Sequence, residues 1–305
     1  MKALIQTGSS LSACGHAQAG GRVPVPHEKR FLINNSPMSA RPLIFGIVNI
    51  TPDSFSDGGR YFAADAAIAH ARKLAAEGAD VIDLGPASSN PDAEPVPPEE
   101  EIRRLAPVVE ALAAEGIALS VDSFRPETQA FALAHGAAYL NDIRGFADPS
   151  FYPSLAASEA RLVLMHSIQR EGNADRRETP EGDIVQHICA FFEERLAALE
   201  SAGIARGRLI LDPGMGFFLG PRPETSFEVL ARTAEIRDRF GLPVFISVSR
   251  KSFLRAVTGR APGEAGAATL AAELLAVQAG ASFIRTHEPR PLADALAVLA
   301  RFENP

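Results

Sequence analysis

From residue 43 onward the chain repeats one pattern: a short apolar run, a polar residue closing it, then a longer amphipathic stretch. The runs are Leu43–Ile50, Asp80–Gly85, Ala118–Ser123, Tyr139–Ile143, Arg161–Ser167, Leu209–Met215, Pro243–Ser249 and Ser282–His287. Each has the length of a strand, and each is nearly continuously apolar, as strands covered on both faces are. Between them Ala63–Glu77, Pro98–Glu115, Ile184–Ala202, Gly263–Ala279 and Arg290–Phe302 read as helices. Pro98 and the glutamates after it suit a helix start, while Gly78, Gly116, Gly203 and Gly280 suit helix ends. Eight strand–helix units in about 260 residues predict an α/β fold of the (β/α)₈ TIM-barrel type over 41–305. An open doubly wound sheet would favour a G-x-G-x-x-G turn after its first strand, and none stands there.

Residues 1–40 lie outside this pattern. They are rich in Gly, Ser, Ala and Pro without periodicity, which predicts a disordered extension, and Met38 is an alternative start. Leu11-Ser12-Ala13-Cys14 resembles a lipoprotein cleavage box, but the stretch before it is polar and supplies no apolar core for a signal peptide. No apolar run is long enough to span a bilayer. Cys14 and Cys189, the two cysteines, have no partners at metal-ligand spacing, so a reducing cytoplasm is expected. A net charge of −7 argues against a general nucleic-acid binder, which needs a basic face.

What ends each run carries the functional argument. In order, the ends are Asn49, Asp83, Asp122-Ser123, Asn141-Asp142, His166-Ser167, Asp212-Pro213-Gly214, Ser249-Arg250-Lys251-Ser252 and Arg285-Thr286-His287. Any one of these alone is as readily a helix cap or turn former. Asp142 also reads as structural, His166 as a satisfied polar residue, and Arg250 as an ion-pairing residue. Eight polar ends converging on one mouth are harder to explain that way, because the C-terminal face of such a barrel is where its chemistry sits. Asp122, Asn141 and Asp212 can accept from the N–H/NH₂ edge of a planar heterocycle such as a 2-aminopyrimidinone. Lys251 can donate to a carbonyl or ring nitrogen of that ring. Asn49, Arg285 and His287 form a second group suited to an oxyanion and a metal. A ring-bearing substrate with a phosphate leaving group is the expectation.

The same residues resemble dihydropteroate synthase. The motifs are Gly46-Ile47-Val48-Asn49-Ile50-Thr51-Pro52-Asp53-Ser54-Phe55-Ser56-Asp57-Gly58-Gly59, Ser120-Val121-Asp122, Leu140-Asn141-Asp142-Ile143, Leu164-Met165-His166, Leu211-Asp212-Pro213-Gly214, Ser249-Arg250-Lys251-Ser252 and Arg285-Thr286-His287. The resemblance implies condensation of 6-hydroxymethyl-7,8-dihydropterin diphosphate with p-aminobenzoate, giving 7,8-dihydropteroate and diphosphate with Mg²⁺. It implies pterin contacts from Asp83, Asp122, Asn141, Met165, Asp212 and Lys251, with Asp122, Asp212 and Lys251 serving catalysis. It implies diphosphate contacts from Asn49, Arg285 and His287, with the metal on Asn49. It implies p-aminobenzoate contacts from Ser89, Phe217, Phe218 and Ser252, and a homodimer in the cytoplasm. A pterin-binding methyltransferase domain shares the pterin residues but needs neither the diphosphate group nor the Thr51–Gly59 loop. A non-catalytic, degenerate paralogue is the other alternative, supported by one missing arginine.

Three segments depart from the family pattern. Gly-Gly-Glu-Ser-Thr-Arg-Pro is usual after the second run, but Gly85-Pro86-Ala87-Ser88-Ser89-Asn90-Pro91 stands here. Gly-Phe-Gly-Lys is usual after the sixth, but Gly216-Phe217-Phe218-Leu219-Gly220 stands here. After the eighth, Val-His-Asp becomes Thr286-His287-Glu288. These departures are similar to the sulfonamide-insensitive, mobile resistance branch. The first two loops lie on the p-aminobenzoate side, which predicts discrimination there: Phe218 or Leu219 at the pocket rim could clash with the group that sulfonamides carry beyond the sulfonyl.

Overall fold

The computed structural model describes residues 41–51, 60–88, 93–169 and 178–303. The expectations for residues 1–40, for Pro52–Gly59, and for Ser89 and Asn90 fall outside the described residues. The described strands are β1 (Leu43–Asn49), β2 (Val81–Gly85), β3 (Leu119–Asp122), β4 (Tyr139–Asp142), β5 (Arg161–Met165), β6 (Leu209–Asp212), β7 (Phe245–Ile246) and β8 (Phe283–Thr286). All are parallel and hydrogen-bond in the order β6-β5-β4-β3-β2-β1-β8-β7. The two ends of that series meet through a bridge between Leu211 and Val244, where Leu211 N donates to Pro243 O at 3.0 Å. The sheet therefore closes into the expected barrel. Its weakest seam is at β7, where Pro243 has no N–H to give to the ladder.

Helices fill the connections: α1 (Arg60–Ala76), α2 (Pro98–Ala114), α3 (Pro126–Ala134), α4 (Tyr152–Ala156), α5 (Ile184–Ser201), α6 (Pro223–Ala231), α7 (Thr233–Phe240), α8 (Ser252–Thr258), α9 (Gly266–Gln278) and α10 (Pro289–Glu303). The five expected helices are α1, α2, α5, α9 and α10. Helix α2 begins as its sequence suggests, with Pro98 in the first turn and Glu99, Glu100 and Glu101 against the positive end of the helix dipole. Asp183 caps α5 by accepting from Val185 N at 2.8 Å and Gln186 N at 3.2 Å. The apolar helix faces and the outer strand faces form the main core, with Leu74, Leu105, Leu112, Leu140, Leu162 and Phe192 fully buried.

Inside the barrel, strand register decides everything above the floor. Side chains alternate in and out along a strand, and residues paired across parallel strands share a face. A plug of Phe45, Val81, Tyr139, Val163, Ile210, Phe245 and Phe283 seals the lower interior. Phe45 stacks edge-on against Tyr139 at 4.9 Å and Phe245 at 5.1 Å. Two residues further along, the same inward face turns polar on every strand of the plug but β1 and β5. Val81 leads to Asp83, Tyr139 to Asn141, Val163 to Met165, Ile210 to Asp212, Phe245 to Ser247 and Phe283 to Arg285.

Candidate active site

That layer borders a partly open pocket lined by Asp122, Asn141, Ile143, Met165, Asp212, Met215, Phe218, Ser247, Lys251 and Arg285. The strand pairs Asp122–Asn141 and Met165–Asp212 stand side by side in register. Lys251 is the residue that precedes α8, and its Nζ lies 4.9 Å from the centre of the Phe218 ring. Ile143, Met165 and Phe218 form a small apolar cluster against which Phe124 and Phe217 pack. The pocket thus joins a charged inner wall to an apolar outer one, as suits a flat heteroaromatic ring.

Arg285 is the hub of the inner wall. Its Nε donates to Asp83 Oδ2 at 2.6 Å, and its Nη2 donates to Asp122 Oδ2 at 2.8 Å. Asp83 is fully buried and reaches the pocket only through this arginine. Arg285 therefore belongs to the ring pocket as well as to the anion group expected from the sequence. Asn49 and His287 stand apart from that pocket. Asn49 is exposed at the end of β1. Gly85, its partner on β2, is bare beside it: a Cβ there would stand 3.3 Å from Asn49 Oδ1. The side-chain oxygen of Asn49 thus remains approachable.

Burial tunes these groups. It pushes the Asp122 carboxyl up to about 7; Arg285 pulls the other way, and Asp83 adds to the rise. Asp212 is pushed up to about 6 by burial, opposed by the Gly214 N–H and then by Lys251. Burial drives Lys251 down to about 8, helped by Arg285. His287 falls to about 3, first from burial and then from the surrounding Arg250, Arg285, Lys251 and His70. His287 is therefore neutral in the free enzyme, and its Nδ1 shares a 2.9 Å hydrogen bond with Ser249 Oγ. Among the described residues, Asn141 Oδ1 in the pocket wall and Asp83 Oδ1 beneath it are buried without a hydrogen-bond partner.

The loop after β6 forms the other wall. Gly214 has φ +75°, and a Cβ there would collide with the His166 carbonyl, so glycine is required for the chain to turn. Gly216–Leu219 is a 3₁₀ turn. Phe218 faces the pocket and Phe217 is half-buried beside it. Leu219 is fully buried in the main core, which corrects its expected place on the rim. The turn sends successive side chains in different directions, so adjacency to Phe218 does not bring Leu219 to the pocket. Gly216 faces Ser252, whose Oγ would be 3.5 Å from a Cβ at that position. Ser252 thus stands against this loop, outside the ring pocket.

The structural reading of Asp142 holds. It is buried, accepts from Gln129 Nε2 at 2.9 Å and from Arg144 N at 2.7 Å, and does not line the pocket. His166 Nδ1 contacts Pro213 O at 3.1 Å, tying β5 to the β6 loop. Arg250 pairs with Glu288 at 3.7 Å. Ile143, Met215 and Ser247 line the pocket without having been singled out. For Ser247 the signal was available in the two-residue period from Phe245; Ile143 and Met215 lie past the strand ends, where that period stops.

Residues 45–287 match the family model of the pterin binding enzymes. The chain is 70% identical to Dihydropteroate synthase type-2 of Escherichia coli over 267 residues, covering 88% of this chain and 98% of that one. It is 54% identical to Dihydropteroate synthase type-3 of Escherichia coli, over 84% of this chain and 97% of the relative. Among solved structures, dihydropteroate synthase of Xanthomonas albilineans with 4-aminobenzoic acid superposes with a TM-score of 0.79 at 40% identity, covering 86% of this chain and 93% of that one. Pocket, strand register and relatives agree, and the chain belongs to the pterin binding enzyme family, among its dihydropteroate synthases.

Proposed function

We propose that this barrel mouth condenses 6-hydroxymethyl-7,8-dihydropterin diphosphate with p-aminobenzoate, and that sulfonamides inhibit it poorly. The observation that carries the reading is the convergence of Asp122, Asn141, Asp212, Lys251 and Arg285 on one pocket with an apolar outer wall. The pterin 2-amino group and ring N–H donate to the Asp212 and Asp122 carboxylates and to the unpartnered Asn141 Oδ1. Lys251 donates to the ring carbonyl or a ring nitrogen. Met165 packs against the ring, and Asp83 keeps Arg285 in place from below.

Departure of diphosphate from the pterin methylene leaves a resonance-stabilised cation. The buried carboxylates beside the ring favour that charge where water would otherwise have to. The aniline nitrogen of p-aminobenzoate then attacks the methylene carbon and loses its proton afterwards, so little general-base strength is needed. Arg285 and His287 receive the diphosphate, with Arg250 and Lys251 adding positive field around His287. His287 acts there as a neutral hydrogen-bonding group. Asn49 fits Mg²⁺: it offers one exposed neutral oxygen beside a bare glycine, and this ion takes its other oxygens readily from substrate phosphates and water. Bound there, Mg²⁺ supplies charge neutralisation to the leaving diphosphate.

Phe217, Phe218 and Ser252 form the p-aminobenzoate side, to which the family resemblance also assigns Ser89. Phe218 is the wall against which the extension of a sulfonamide would press, whereas the flat carboxylate of p-aminobenzoate would clear it. The relatives named type-2 and type-3 support placement in the branch that carries resistance. Exposed Leu275 on α9, with Val298 and Phe302 on α10, supports a homodimer through the last helices. We place the enzyme in the cytoplasm; no described helix is long and apolar enough to cross a membrane. Growth of a cell lacking its own synthase tests the reading. Rescue that persists under sulfonamide supports it, and failure of a well-expressed protein to rescue contradicts it.

A further inference from the structure

Three successive carbonyls of the Phe217–Leu219 turn are each taken by the segment that follows β5. Gln169 Nε2 donates to Phe217 O at 3.1 Å, Ile168 N to Phe218 O at 3.1 Å, and Thr179 Oγ1 to Leu219 O at 2.7 Å. The fit is close. Gly220 has φ +105°, and a Cβ there would collide with Thr179 Oγ1. Gln169 is buried, and Ser167 Oγ donates to its Oε1, which turns the amide N–H₂ toward Phe217. Neither Gln169 nor Thr179 lines the pocket. The pterin residues sit on strand ends and at the start of α8, so this clamp bears on only one wall.

We infer that Gln169 and Thr179 are positioning residues that set where Phe217 and Phe218 stand, and so select the second substrate. The inference rests on reading that wall as the p-aminobenzoate side. Ile168 contributes through its backbone and cannot be removed by substitution, which leaves the two side chains to carry the test. Thr179→Val keeps shape and removes the donor; Thr179→Ser keeps the donor. Gln169→Ala removes the amide's bonds to Ser167 Oγ and Phe217 O.

The full-length enzyme and these variants are compared for KM of p-aminobenzoate, KM of the pterin diphosphate, inhibition constant of sulfamethoxazole, and thermal midpoint. Loss of one neutral hydrogen bond that places Phe218 predicts a rise of about 3–10-fold in KM for p-aminobenzoate. The ratio of the sulfamethoxazole inhibition constant to that KM falls as the wall loosens. KM for the pterin diphosphate stays within about twofold of the wild type, and Thr179→Ser behaves as wild type. An unchanged KM for p-aminobenzoate in Gln169→Ala and Thr179→Val overturns the inference, as does an equal rise in both KM values with a lowered midpoint. A wild-type enzyme that makes no dihydropteroate overturns the assignment of function and the inference with it, whereas wild-type turnover with indifferent variants overturns the inference alone.

Discussion

Arg285 shows what a single residue can hold together. It is charged, mostly buried, and joins β8 to β2 and β3 through Asp83 and Asp122. Removing one partner of such a pair leaves a charge poorly compensated. Asp83→Ala should cost roughly 3 kcal/mol, lowering the thermal midpoint by about 6–12 °C, as calorimetry would read. The titrating groups above it predict a bell-shaped pH profile. Asp212 is protonated below about 6 and cannot then accept both ring donors. Lys251 loses its charge above about 8. Asp122, the other carboxylate proposed to accept from the ring, is pushed up to about 7. kcat/KM for the pterin diphosphate should therefore rise between about 6 and 7 and fall above about 8. Lys251→Arg should move the alkaline limb upward and leave the acidic limb in place, which a pH series on both enzymes would check. Asp83 was legible in the sequence as a polar strand end, but its partner lies 202 residues away. No local pattern announces an ion pair across that separation, and its role beneath the pocket emerged only from the fold.

At the scale of elements, the eight strands were visible because burial on both faces leaves continuous apolar runs. Their inward register then places the site: one step of two residues separates the Phe45–Phe283 plug from Asp83, Asn141, Asp212 and Arg285. Helices α3, α4, α6, α7 and α8 were not legible. They have 9, 5, 9, 8 and 7 residues, too few for a clear period. Strand β7 is shorter than its apolar run because the polar turn after it leaves the sheet. The 3₁₀ turn after β6 was the least legible element, since neither a two-residue nor a 3.6-residue period says that Phe218 enters the pocket while Leu219 enters the core. Its geometry depends on Gly214, and Gly214→Ala should destabilise by about 2 kcal/mol from the positive φ alone, with more from the collision at His166. Chemical denaturation would show this as a lowered midpoint at unchanged slope.

Across the whole molecule, the barrel separates stability from selectivity. The aromatic plug and helical core lie below and around the site, while the loops at the mouth differ from the family pattern without disturbing the strand ends. Among the described residues the exposed large apolar side chains are Val257 on α8, Leu275 on α9, and Val298 and Phe302 on α10. The proposed homodimer predicts a dimer by light scattering for the wild type and a folded monomer for the double substitution Val298→Glu and Phe302→Glu. The central claim concerns the mouth: Asp122, Asn141, Asp212, Lys251 and Arg285 share a pocket with Phe218 of the β6 loop, which under the proposed function screens the second substrate. The most direct test is the sulfamethoxazole inhibition constant relative to KM for p-aminobenzoate, in the wild type and in Phe218→Ala. The account predicts a ratio far above one that drops sharply in the variant, with KM for the pterin diphosphate little changed. A wild-type ratio near one, or a high ratio untouched by Phe218→Ala, would contradict it.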